Sequence, residues 1–137
     1  MASTLLIGTL TIKKARSFIA QLKQVAKTTD TLFIYIHSHG GSLRAYAEIA
    51  EAMLSLSNEG KTIIGQAVHV GSTAMLIFLN CNERLVTPAT SGYIHIPVPN
   101  TQVQTEIYKK KVDNIIAFIA RRTGLSAEQI RSLDTIS

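Results

Sequence analysis

The sequence predicts an α/β fold: one domain of repeated βαβ units on a mainly parallel sheet, closed by a long C-terminal helix. Three observations lead there. Short apolar runs alternate with stretches of helical period. Turn residues punctuate most of the changes between them. No repeat, low-complexity tract or linker divides the 137 residues, a length that one core can serve. Strands alternating with helices in this way imply parallel pairing through right-handed crossovers.

Leu5–Leu10 is the first apolar run. After it Ile12, Ala15, Ile19, Leu22 and Val25 recur at helical spacing, with Lys13, Lys14, Arg16 and Lys23 between them. Thr31–His37 is aromatic and β-branched, too short for a helix, and bounded by Asp30 and Gly40–Gly41, so it reads as a buried strand. Ala45, Ile49, Ala52, Met53 and Leu56 define a second helical stripe that stops at Asn58-Glu59-Gly60. Thr62–Val68 is again strand-like, and Ser72–Leu79 has helix-forming content after Gly71.

Two short strands are expected near Arg84–Val86 and Gly92–His95, then a turn at Pro97-Val98-Pro99-Asn100. A long helix from about Thr101 keeps Val103, Ile107, Val112, Ile115, Ile116 and Ile119 on one face until Gly124. Ser126 is the expected N-cap of a last short helix, with Gln129 in the capping-box position.

The composition narrows the class of protein. It is 46% hydrophobic and 17% charged, against about 25% charged in an ordinary soluble domain. Apolar surface is therefore expected to be hidden between copies in a homo-oligomer. No apolar segment approaches the roughly 20 residues of a membrane span, and Met1–Leu10 lacks a signal peptide's basic region. The single Cys81 cannot form an internal disulfide. These features predict a soluble, cytoplasmic protein. The net charge of +5 invites a nucleic-acid reading, but Lys109–Lys111 and Arg121–Arg122 fit a solvated helix face and no aromatic platform accompanies them. Nucleic-acid binding is not expected.

Candidate chemistry gathers at three strand ends: His37-Ser38-His39-Gly40-Gly41-Ser42, Gly65 to Ser72, and Tyr93-Ile94-His95-Ile96-Pro97. Parallel sheets place ligand sites beyond the carboxyl ends of strands. Paired glycines can turn their N–H groups outward, and a following helix start favours negative charge. Taken alone, the glycine pair reads first as a tight turn between strand and helix.

Four segments carry a family resemblance. IYIHSHGGS is similar to the "YINSPGGS" of the proteolytic subunit of Clp-type proteases, IIGQAVHVGS to its "IGQAASMGA", and GYIHIP to its "MIHQP". IARRTGLSAEQI is similar to the "A-x-x-TG-x-S-x-EQI" that follows that family's handle helix. Their order and approximate spacing are kept from Leu5 to about Ile130. The resemblance implies the ClpP/crotonase-like spiral fold, shared by phage prohead-type and crotonase-like proteins. It also implies ring assembly, a peptide or protein substrate and an unfoldase partner.

By resemblance, the oxyanion donors fall at Gly40, Gly41 and Val70, the general base at His95, and the nucleophile at His69. Imidazole cannot supply the acyl-enzyme ester of a serine peptidase. The family's aspartate aligns with Leu133, one place before Asp134, a possible orienter. The segment from His95 to Thr123 is several residues shorter than in the family, and the terminal strand and helix that usually follow are not expected before Ser137. The first reading is thus an inactive or divergent oligomeric homologue. The alternative is a serine hydrolase using Ser72 with His95, weighed against Ser72 as a helix cap or first-turn residue; Ser42 and Ser38 read as cap and turn hydroxyls. A crotonase-like acyl-CoA enzyme is a third reading.

All four histidines, His37, His39, His69 and His95, sit at these strand ends. They read as a hydrogen-bonded polar pocket, or as a zinc-type site of His39, His69 and His95 with Asp134 as a fourth ligand. No cofactor is expected, and His37 and His39 are not expected to point inward together.

Overall fold

The structure, a computed structural model, describes residues 3–93 and 105–134. They fall into two compact units, the first ending at Tyr93. The first unit runs β1 (Ser3–Ile7), α1 (Ile12–Ala26), β2 (Thr31–Ser38), α2 (Leu43–Asn58), β3 (Thr62–Gly71), α3 (Thr73–Asn80), β4 (Glu83–Leu85) and β5 (Ser91–Tyr93). Every named pairing is parallel, in the order β1-β2-β3 with β4 and β5 placed one after the other along the far edge of β3. Mixed α/β architecture on a parallel sheet is thus what the sequence predicts.

Period-two burial shows which sheet face is covered. Leu6, Leu32, Ile34, Ile36, Ile63 and Ala67 are buried and meet Ala15, Phe18, Leu22, Ala45, Ile49, Met53 and Ile77 of the three helices. The α2 stripe is the predicted one, residue for residue. In α1 the buried set is Ala15, Phe18, Leu22 and Ala26; Phe18 takes the core place expected of Ile19, which packs at its margin. The helix face is rotated by about one position. Leu5 and Ile7, on the opposite sheet face, remain 53% and 49% exposed.

Helix ends follow local chemistry. Thr11 caps α1 through its hydroxyl, which accepts from Lys14 N–H at 3.1 Å, and Ser42 caps α2 in the same way through Ala45 N–H at 3.1 Å. Gly60, at φ +90°, follows the end of α2. β1 ends earlier than the apolar run, because Gly8 at φ +83° turns the chain and Leu10 then bridges to Gly41.

β3 runs three residues past Val68. The cause is long-range: His69, Val70 and Gly71 pair with Ser91, Gly92 and Tyr93 of β5, and this ladder holds the segment extended. A register shift between Ile36 and His37 lets β2 follow, so that His37 faces His69 across the ladder.

The second unit contains α4 (Thr105–Thr123) and α5 (Ala127–Asp134), which pack on each other. Ile116, Ile119 and Ile130 are buried. Gly124, at φ +77°, follows α4. The predicted capping box is formed, with Ser126 N–H donating to Gln129 Oε1 at 2.8 Å and Gln129 N–H donating to Ser126 Oγ at 3.1 Å. The expected turn at Pro97–Asn100 lies outside the described residues.

Candidate active site

Between β3 and α3 the chain turns sharply on Ser72, whose φ of +53° and ψ of −124° make it the one positive-φ residue other than glycine among the described residues. Such a conformation costs a serine roughly 1–3 kcal/mol and persists only where its surroundings impose it. They do so here. Ser72 N–H donates to Tyr93 C=O at 3.0 Å, extending the β3–β5 ladder, while Ser72 C=O accepts Met75 N–H at 3.1 Å. Gly71 lies directly beneath the Tyr93 ring, where any Cβ would collide with ring carbons. Ser72 is the residue preceding α3, but its side chain does not bond the helix's first turn.

The glycine turn after β2 is pressed against this elbow. Gly40 has φ +88°, and a Cβ there would lie 2.6 Å from Gly71 O and 2.9 Å from Thr73 N. Its N–H donates to Ser38 Oγ at 3.0 Å, and that hydroxyl donates to Gly8 O at 2.6 Å; Ser38 is thus the turn hydroxyl the sequence suggests. Gly41 N–H donates to Thr73 Oγ1 at 3.0 Å. The N–H of Thr73 belongs to the first residue of α3, where a helix has no internal acceptor.

Sequence reasoning puts His69 and Val70 at the turn; the structure does not. His69 is the eighth of the ten residues of β3, opposite His37 and Ser91. Val70 is buried between Ser38 and Gly92 in the same ladder. With the strand longer than expected, Ser72 takes the strand-to-helix elbow and Thr73 becomes the residue after it. The candidate that sequence reasoning missed is Thr73, whose hydroxyl accepts Gly41 N–H; a small, hydroxyl-rich Gly-Ser-Thr opening a helix was its available signal.

Three histidines meet beside the elbow. His69 Nε2 and His39 Nδ1 are 3.2 Å apart, and His69 Nδ1 is 2.8 Å from Ser91 Oγ. His37 and His39 both approach His69, with ring centroids at 6.5 and 4.6 Å, contrary to the expectation that they would not converge; the shift at Ile36/His37 brings this about. Burial, and then the neighbouring His39 and His37, hold His69 below the ordinary histidine range. Tyr93 stands 5.8 Å from the His69 ring, and its hydroxyl donates to His39 C=O at 3.4 Å.

Among the described residues no group of three His, Cys, Asp or Glu is placed to hold a metal. The predicted base His95 lies outside the described residues, as does the side chain of Asp134, the last residue of α5.

The family model described as Clp protease matches residues 2–135. The chain belongs to the Clp protease family. A curated relative, the ATP-dependent Clp protease proteolytic subunit 2 of Tropheryma whipplei (strain Twist), is 29% identical over 109 residues. That match covers 74% of this chain and 60% of the relative, so the chain aligns with less than two thirds of the relative's length. Among solved structures, the ClpP1 N165D mutant from Listeria monocytogenes superposes with a TM-score of 0.81 at 24% identity, covering 95% of this chain and 77% of that one. The Clp protease fold is therefore present. No described helix is long and apolar enough to cross a membrane.

Proposed function

We propose that this Clp-family chain is a serine hydrolase acting on peptides, with Ser72 rather than His69 as its nucleophile. The observation that carries the reading is the strained conformation of Ser72 at the strand-to-helix turn. A serine on such a turn presents Oγ at the top of the sheet, ahead of a helix N-terminus.

In this reading Ser72 Oγ attacks the scissile carbonyl and gives its proton to His95, assigned by the family resemblance. The developing oxyanion takes the N–H of Thr73, the residue after the nucleophile, and the N–H of Gly41, replacing Thr73 Oγ1 as its acceptor. Return of the proton from His95 to the leaving amine leaves an acyl-enzyme ester, which water hydrolyses by the same route. Asp134 orients His95. The chain works as a homo-oligomer in the cytoplasm, fed by an unfoldase. This part rests on family membership and on the low charge content.

A fluorophosphonate probe with mass-spectrometric mapping tests the nucleophile. An adduct on Ser72 in native protein, absent after heat denaturation and in His95→Ala, is the expected result. No adduct would establish the inactive scaffold instead. Sedimentation tests assembly, and only a species near the 14.9 kDa chain mass at micromolar concentration would defeat it.

A further inference from the structure

The histidine pair beside the elbow has no part in the chemistry above, yet it joins the two segments on which that chemistry depends. His39 immediately precedes Gly40–Gly41, and His69 stands three residues before Ser72. Their rings meet edge to face, 4.6 Å between centroids, with Nε2 of one 3.2 Å from Nδ1 of the other. Beyond the clasp, His69 Nδ1 is tied to Ser91 on β5, the strand whose Tyr93 carbonyl holds Ser72 N–H. One chain of side chains thus connects the glycine turn, β3 and β5.

We propose that His39 and His69 are positioning residues, a latch that holds the Gly40–Gly41 turn against the Ser72 elbow and opens when both imidazoles are protonated. The proposal rests on the serine-hydrolase reading for its effect on activity, but the latch itself can be tested without it.

The proton arithmetic sets the behaviour. A hydrogen bond between two imidazole nitrogens needs one donor and one acceptor. The neutral pair supplies them in either tautomer. A pair carrying one extra proton does so too, because His39 can then donate from Nδ1 to a bare His69 Nε2 while His69 Nδ1–H donates to Ser91 Oγ. A second extra proton leaves two donors facing each other and two like charges across 3.2 Å, which repel.

Among the described residues, the groups around the pair do not relieve that repulsion. His37 lies 6.5 Å from His69 on the β2 side and adds to it once charged. From β5 come the neutral Ser91 and Tyr93. Among the described residues, none of the ion pairs brings a carboxylate to either ring.

Two measurements test the latch. The first is the rate of Ser72 labelling by a fluorophosphonate between pH 5 and 8. His69→Gln keeps a neutral amide donor toward His39 and cannot take a second proton, so its ratio of acid-side to pH 8 labelling should exceed the unmodified protein's by roughly threefold or more. His69→Leu, folded by circular dichroism, should label more slowly than the unmodified protein at pH 8, where the latch is closed. Superimposable profiles for the unmodified protein and His69→Gln would overturn the proposal.

The second measurement follows the His69 imidazole by NMR and needs no activity. In His39→Gln the His69 titration should move up toward the ordinary histidine value, and an unmoved titration would overturn the latch. If Ser72 never labels but His69 moves, the hydrolase reading falls and the paired imidazoles stand.

Discussion

Gly41 N–H donates to the Thr73 hydroxyl at 3.0 Å, fastening the turn after β2 to the first residue of α3. Replacing Thr73 by Val removes the acceptor at nearly constant volume and leaves a partly buried donor unpaired. The expected loss is about 1 kcal/mol in urea unfolding, with Thr73→Ser restoring most of it.

Gly40 and Gly60 share nearly the same backbone angle, φ +88° and φ +90°, in opposite surroundings. A methyl at Gly60 meets nothing within 4 Å, whereas at Gly40 it meets the backbone of Gly71 and Thr73. Gly60→Ala should therefore cost only backbone strain, about 1 kcal/mol. Gly40→Ala should cost at least about 2 kcal/mol more, through overpacking against atoms that cannot move aside. Parallel thermal melts measure the difference, and equal losses would mean that the elbow is not tightly packed.

Strain at the elbow predicts an inverse relation between stability and activity. Ser72→Ala keeps the positive φ, while Ser72→Gly removes its cost. The glycine variant should be more stable than the alanine variant by about 1 kcal/mol, although glycine ordinarily destabilises. Neither should react with the fluorophosphonate.

His69 gives the first unit a pH dependence with a definite sign. It is harder to protonate folded than unfolded, so below the ordinary value of about 6.5 the unfolded chain binds more protons. Stability is then complete above that value and declines as the pH falls through it. Urea midpoints between pH 5 and 8 should drop on the acid side, and less so in His69→Gln.

Local chemistry made most of the fold legible. The five-residue stripe of α2, the Ser42 cap and the Ser126–Gln129 capping box are set by residues within a turn or two of each other. Family likeness was legible too, in four ordered motifs. The site was only partly so, because its position depends on where β3 stops. Pairing with Ser91–Tyr93 decides that, and nothing near Val68 announces it. A three-residue extension moves the elbow from His69 to Ser72, and the shift at Ile36/His37 then gathers His37 and His39 around His69. Neither event leaves a periodic trace in the sequence.

Cys81 follows the last residue of α3, 1% exposed, and its sulfur lies so near Gly65 of β3 that a Cβ there would stand 2.5 Å away. An alkylating reagent cannot enter without lifting α3 from the sheet. The lone thiol is consequently a built-in clock for the junction that sets Ser72. Its modification rate times how often that helix detaches, and comparison with the global unfolding rate separates a local breath at the elbow from collapse of the whole unit.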